Sequence, residues 1–339
     1  MNISICIIAK DEARSIGDLI NQIHQQTVFS GVKAAEILII CNGCTDGTAE
    51  VAGETFSKLD WPANVKTAVH EFTEAGKARS WNEAVHNIIS VDAEIAFFVD
   101  ADVELIDTSV LRELLADLQK DNEAVAISGW PLKDIARKDK KTLIDSFSLK
   151  ISAQTQYTHS INGSLYAAEM QCLKPIWLPV PIPGEDGMLS AMIQTKGFTT
   201  APQKNLIIRA KRPTHYYEAH TIEGFFRHEQ RMVIGTTING WLFEHFWEGN
   251  HSSHVGEMVR ELNNAKPGWI SEIVAGKVGD RRWVLPRRLL TWRLYNLRAI
   301  SLREAMVRSP FSLGATLLNI YPCMMANRTL KKQAAASFW

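Results

Sequence analysis

The 339 residues include only five cysteines, an odd number at irregular positions, which excludes a disulfide framework and suits a reducing compartment such as the cytoplasm. Cys41 and Cys44 form a C-x-x-C, a spacing that serves redox or metal chemistry, but no second pair follows at zinc-site spacing and plain packing is the better reading. Repeats and low-complexity blocks are missing, and so is any long unbroken apolar run. Nineteen uncharged residues lie between Arg308 and Arg328, yet Pro310, Asn319 and Pro322 interrupt them, which argues against a membrane-spanning helix. The opening run Ile3 to Ala9 meets Lys10, Asp11 and Glu12 without a basic leader or a small-residue cleavage site, so it reads as a buried strand, not a signal peptide. Net charge is also absent, with 37 basic and 37 acidic residues. That balance hides an asymmetry. From Lys277 to Trp339 twelve Lys or Arg face only Asp280 and Glu304, a local 12 − 2 = +10, which leaves −10 for the rest and points to an anionic partner for the tail.

What is present suits a globular protein: 46% hydrophobic and 22% charged residues are enough for a large core. Ile3 to Ala9 is a strand-like run; Asp11 to Gln26 then carries Ile16, Leu19, Ile20 and Ile23 at helical spacing, and Glu36 to Cys41 is a second apolar run. A third strand is expected over Val65 to Phe72, a helix over Lys77 to Ile89 and a fourth strand over Ile95 to Val99. This alternation predicts an α/β fold, a mostly parallel sheet flanked by helices, whose ligands bind beyond the carboxyl ends of the strands. The polar clusters after Ala9, Cys41, Phe72 and Val99 fall there. Further on, Lys133 to Lys141 reads as a solvated turn, a helix is expected to begin near Gly187, and Asn205 to Ala210 reads as a strand.

Asp100 and Asp102 directly follow the fourth strand, and two carboxylates one residue apart can share Mg²⁺ or Mn²⁺ with a diphosphate; a helix cap or surface turn would use the same residues. Five segments occur in order: Ile7-Ile8-Ala9-Lys10-Asp11-Glu12, Asn42-Gly43-Cys44-Thr45-Asp46-Gly47-Thr48, Gly76-Lys77-Ala78-Arg79-Ser80-Trp81-Asn82, Phe98-Val99-Asp100-Ala101-Asp102 and Gly184-Glu185-Asp186. The ordered set resembles the family 2 glycosyltransferases of the GT-A fold over about the first 235 residues.

The resemblance implies a donor site for a nucleotide diphosphate sugar. Ala9, Asp11 and Glu12 match nucleotide-contacting positions, Asn42 and Asp46 match positions beside the base and ribose, and Lys77 and Asn82 match the pocket lining. Cys41 stands where the family usually has an aspartate. Asp102, with Asp100 nearby, would hold the metal, and His215 could supply a third ligand, as a late histidine does in some GT-A enzymes, although a lone histidine is more often structural. Asp186 matches the catalytic base and Glu185 would orient the acceptor, whereas two acids at a helix start also favour the helix dipole. Arg227 and Arg231 lie one helical turn apart and could face the diphosphate together, or face solvent. The Gln-x-x-Arg-Trp signature of many relatives is replaced by Gln230-Arg231-Met232, which does not support processive polymer synthesis.

The expected organisation is a GT-A catalytic domain over 1–235, with 1–130 binding the donor and 131–235 the acceptor, followed by a basic, helical extension over 236–339. Arg281, Arg282, Arg287, Arg288, Arg293 and Arg298, interleaved with Trp283 and Trp292, suit contact with an anionic membrane surface. That places the protein in the cytoplasm or peripherally at the inner face of the membrane, with a lipid-linked or glycan acceptor; no recognised module supports nucleic acid as a partner. Two rivals share the fold. A sugar-phosphate nucleotidyltransferase needs a glycine-rich basic loop where this chain has Asp11 and Glu12, which would repel a triphosphate. A non-catalytic nucleotide-sugar or membrane-surface binding protein could dispense with Asp186.

Overall fold

The computed structural model describes residues 1–142, 145–146, 148–149, 159–219, 221–249, 253–295, 297 and 301–332. Arg298 of the basic stripe lies outside the described residues, as do the side chains of Trp292 and Arg293.

The first half is built around three apolar runs buried on both faces and a mixed fourth run, 65–72, that lies partly exposed at the sheet's edge. β1 (Asn2–Ala9), β2 (Ala34–Asn42), β3 (Val65–Phe72) and β4 (Ile95–Asp100) pair in parallel in the order β3-β2-β1-β4. Alternation with period two decides the face of each side chain. Ile3, Ile5 and Ile7 join Ile37, Ile39, Phe97 and Val99 on one face, whereas Cys6 and Ile8 join Leu38, Ile40 and Phe98 on the other. The first face is covered by α1 (Ile16–His24), α2 (Thr48–Lys58) and α4 (Val110–Lys120), each turning an apolar stripe inward. α3 (Lys77–Glu83) covers part of the second and continues as one π turn through Ile88.

Beyond β4 the sheet stops being parallel. β8 (Leu165–Glu169) lies antiparallel between β4 and β6 (Ala126–Ser128), and β9 (Ile207–Arg209) adds in parallel to β6, completing seven strands. A small second sheet sets β10 (His215–Tyr217) between β5 (Glu104–Leu105) and β7 (Pro131–Lys133). The expected strand over 205–210 is shorter, a 3-10 turn at Lys204–Leu206 leading into β9. Within the expected turn over 133–141, Asp134–Arg137 also forms a 3-10 turn.

The helix expected from Asp11 starts only at Ile16. Asp11 has a left-handed φ of 55°, and its carboxylate accepts the Thr45 N–H at 2.7 Å, so the loop is tied to its neighbour rather than wound. After the four-residue α5 (Met170–Leu173), α6 (Glu185–Gln194) starts two residues earlier than expected because Gly184, at φ 78°, makes the left-handed entry.

The remaining chain is helical: α7 (Ile222–Glu248), α8 (Gly256–Ala265), α9 (Trp269–Val278), α10 (Arg288–Tyr295) and α11 (Leu302–Lys331). α7 packs along α11 and α6. The boundary drawn at 235 therefore falls inside α7, and residues from Trp81 to Leu330 share one apolar core on the second face of the sheet.

Candidate active site

Strand order reverses direction at β1, and the crevice beyond the carboxyl ends of β1 and β4 is where such sheets bind ligands. β4 delivers Asp100 to that crevice, and the Asp100 N–H donates to the Ser164 carbonyl at 2.9 Å. Lys77 arrives from the first turn of α3. Its Nζ lies 2.6 Å from Asp100 Oδ1 and 3.4 Å from Glu185 Oε1, bridging two acids that come from opposite halves of the sequence. Burial alone would lower the Lys77 pKa, but the carboxylates of Asp100 and Glu185 outweigh it and hold the ammonium charged. Burial likewise pushes the Asp100 carboxyl up, against the pull of Lys77.

Around this bridge is a narrow pocket that opens to solvent. Trp81, Phe98, Tyr166 and Leu178 form its apolar wall, and Lys77, Asp100, Glu185 and Asp186 its polar one. Trp81 Nε1 donates to Tyr166 Oη at 2.7 Å, and Phe98 stacks against both rings. Gly163 borders the cluster: a Cβ there would lie in ordinary contact, 3.5 Å from Asp186 Cβ and 3.6 Å from Lys77 Nζ.

Asp186 sits in the first turn of α6, its Oδ1 accepting the Gly187 N–H at 2.8 Å. Burial, then the charge of Glu185, push its pKa up to about 6, with the Gly187 N–H and Lys77 opposing. A carboxylate tuned there is ionised at neutral pH yet basic enough to take a proton. The entry to α6 is held by a residue that the sequence patterns did not single out: Asn239, on α7, donates from Nδ2 to the Gly184 carbonyl at 2.8 Å, while its buried Oδ1 has no partner. Gly235, one helical turn earlier, packs so closely that a Cβ there would sit 2.7 Å from the Pro183 carbonyl oxygen. A lone asparagine and a glycine inside a long helix carry no local signal of this role.

The residues expected at the nucleotide lie on the loops after β1 and β2, and the structure laces those loops together. Lys10 Nζ donates to the Gly43 carbonyl and pairs with Asp11 at 2.8 Å. The Glu12 N–H donates to Thr48 Oγ1 at 2.8 Å, and the Ala13 N–H to Asp46 Oδ2 at 3.0 Å. Lys10 and the Thr45 N–H hold the Asp11 carboxyl below its ordinary range, and Thr48 and the Ala13 N–H do the same for Asp46. Glu12 is pushed the other way by burial and by the nearby charges of Asp102, Asp46 and Asp100, despite a hydrogen bond from Ser15. Ala9 is fully buried, and its carbonyl accepts from Cys44 Sγ. Asn42 Oδ1 accepts from the Gly76 N–H at 2.6 Å and Ser80 Oγ at 3.0 Å, which fixes the start of α3 and hence Lys77. Asn82 exchanges both its amide hydrogen bonds with the backbone of Leu178, at 2.9 and 2.8 Å, and so shapes the pocket from behind. Cys41 and Cys44 are free thiols, and burial then the neighbouring Cys44 push Cys41 up to about 12, well above a reactive range.

Among the described residues no group of three or more His, Cys, Asp or Glu side chains is placed to hold a metal by itself. Asp102 is exposed and Asp100 is engaged by Lys77. His215 is fully buried, with Nε2 2.7 Å from Ser164 Oγ and Nδ1 2.8 Å from Thr214 Oγ1; burial lowers its pKa to about 3. Both ring nitrogens are thus engaged, and through Ser164 the ring supports the segment that receives the Asp100 N–H. Arg227 pairs with Glu223 at 2.6 Å on an exposed face of α7, Arg231 is exposed as well, and neither lines the cavity.

A mostly parallel sheet with a carboxylate-lined crevice at its reversal point is the arrangement of a GT-A type transferase fold. The chain belongs to glycosyl transferase family 2, whose sequence profile matches residues 4–176. No curated protein sequence matches it significantly. A mannosyltransferase from Pyrobaculum calidifontis, solved in complex with GDP-Man and Mn²⁺, is similar in structure at 17% identity and a TM-score of 0.53, covering 97% of this chain and 86% of the other. A mycobacterial protein is similar at 14% identity and a TM-score of 0.50, covering 70% of this chain and 74% of the other. At these identities the likeness is one of fold.

Proposed function

We propose that the protein transfers a sugar from a nucleotide diphosphate donor to an acceptor hydroxyl in one inverting displacement, with Asp186 as the base. The observation that carries this reading is the meeting of Asp186, Glu185, Lys77 and Asp100 in one cavity beyond β4, with Asp186 pushed up to about 6. Asp186 takes the acceptor proton as the acceptor oxygen bonds to the anomeric carbon, and the bond from that carbon to the diphosphate breaks on the opposite side. Glu185 orients the acceptor and keeps Lys77 in place. Residues 1–130 serve the donor and 131–235 the acceptor.

The donor set suits a hard divalent cation, Mn²⁺ or Mg²⁺. The exposed Asp102 carboxylate has no ion-pair partner among the described residues, and Asp100 and Glu12 add negative charge beside it, so phosphate oxygens of the donor would complete the coordination. When bound, such an ion offsets charge on the departing diphosphate. The Mn²⁺ and GDP-Man held by the Pyrobaculum enzyme support this reading. Calorimetry of nucleotide diphosphates and their sugar conjugates on the purified chain tests it: one nucleotide should bind at least tenfold tighter with Mn²⁺ than without, and Asp102→Ala should remove that difference. Equal binding with and without the ion would overturn the metal assignment, and no binding by the folded protein would favour the non-catalytic reading.

A further inference from the structure

α11 is apolar on two opposite sides. Its inner side, with Ala315, Cys323, Ala326 and Leu330, closes the core, so the outer side is under no packing demand to be apolar. Yet Leu302, Met306, Leu313, Leu317, Ile320 and Met324 are all exposed, Leu302 by 79% and Leu317 by 60%. At 100° per residue these six fall within about 60° of arc, a single stripe about 33 Å long at 1.5 Å per residue. Isolated exposed leucines are ordinary; an aligned row of this length marks an interaction surface.

The border of the stripe is cationic. Arg303, Arg328 and Lys331 lie along it on the same helix, with Tyr321 between. Two hydrogen-bonded ties bring more cations from the preceding segment. Asn327 bonds the backbone of Arg282 and Val284 at 3.2 and 2.8 Å, which sets Arg281, Arg282 and the exposed Trp283 beside the end of α11 near the stripe; Asn319, on the inner side, donates to the Leu289 carbonyl at 2.9 Å, which sets Arg287 and Arg288 beside the helix's middle. Among the described residues none of these cations has an acid within ion-pairing distance, in contrast to Arg212, Arg227 and Arg260 elsewhere.

From this arrangement we infer that the outer side of α11 and its arginine border dock on an anionic lipid surface. An apolar stripe bordered by unpaired cations and aromatics is complementary to a bilayer interface, where the stripe enters the acyl boundary and the guanidinium groups meet headgroup phosphates. A second copy of the chain would fit the stripe but would bring an equal set of unpaired cations against the first, which disfavours self-association. No described helix is long and apolar enough to cross a membrane, so the contact is along the surface. The surface rests on the tail's own geometry and stands independently of the transfer reading, although it would place the active site near lipid-borne acceptors.

Sedimentation of the full chain with vesicles of phosphatidylcholine alone, or mixed with phosphatidylglycerol, tests the inference. Binding should be at least tenfold stronger to the mixed vesicles and should weaken as salt is raised. Leu313→Glu with Leu317→Glu should remove it, and Arg281→Gln with Arg282→Gln, which leaves α11 unaltered, should weaken it several-fold; thermal melts confirm that each variant is folded. Equal binding to both vesicles, or none, would overturn the inference. So would a concentration-dependent dimer, seen by light scattering, that Leu317→Glu dissociates while vesicle binding is absent.

Discussion

In the proposed mechanism Asp186 is the residue on which the chemistry turns, and its environment makes it costly to the fold. An aspartate ordinarily titrates near 3.8, whereas burial beside Glu185 pushes this one up to about 6. The folded state therefore binds this proton more tightly than the unfolded chain does. Between about pH 4 and pH 6 the ionising carboxylate progressively destabilises the protein, and above pH 6 the full penalty, on the order of 2–3 kcal/mol, is present. Asp186→Asn removes the charge while keeping the shape. It should reduce transfer by about 10²–10⁴-fold, leave donor affinity unchanged, and stabilise the protein at pH 8 but not at pH 4, as read by denaturant titration at both values. In the unmodified protein kcat/KM should fall about tenfold per pH unit below pH 6 and level off above it. A variant that transfers sugar at the original rate would remove Asp186 from the role of base.

At the scale of elements, α7 seats the entry to Asp186, the proposed base, from behind. Gly235 in its interior would ordinarily be improved by alanine, worth about 1 kcal/mol in helix propensity. Here the new Cβ would meet the Pro183 carbonyl oxygen at 2.7 Å and the Gly184 nitrogen at 3.3 Å, so the backbone entering α6 must move. Gly235→Ala should lower kcat tenfold or more with donor binding intact, and Asn239→Ala should lower stability by about 1 kcal/mol through the lost hydrogen bond to Gly184; unchanged kcat in Gly235→Ala would show that α7 does not hold the base in place. Such dependence explains which elements could be read from sequence. β1, β2, β3 and β4 lie within two residues of their expected limits; for β1, β2 and β4 this is because parallel strands between two helical layers are nearly continuous apolar runs, whereas β3 is a partly exposed edge strand. The Asp100-Ala101-Asp102 turn was legible because β4 ends there. The insertion of β8 between β4 and β6 is a long-range pairing with no local trace, and so is the reach of Lys77 to Glu185. Arg227 shows the reverse: i,i+4 spacing to Arg231 suggested a shared face on the diphosphate, but Glu223, one turn before, offers a nearer partner.

Over the whole molecule, the boundary at 235 separates motifs more than it separates structure. The core that backs the active site includes Trp81, Tyr166 and Met188 from the catalytic part, and Trp269, Val284 and Leu330 from the extension. Ile238, Trp241, Leu242 and Phe246 supply the layer between them from the second half of α7. Each such side chain contributes roughly 1.5–3 kcal/mol when buried, so these four alone approach the 5–15 kcal/mol by which a typical domain is stable. A chain ending at residue 235 should therefore lose cooperative folding, although it retains every residue proposed here for chemistry. Thermal melting of the 1–235 fragment followed by circular dichroism checks this: a cooperative transition with nucleotide binding preserved would make the extension an appendage. A broad, non-cooperative melt would mean that the helices carrying the lipid-facing stripe also complete the catalytic core, so that docking and the geometry of the site are mechanically joined through α7 and α11.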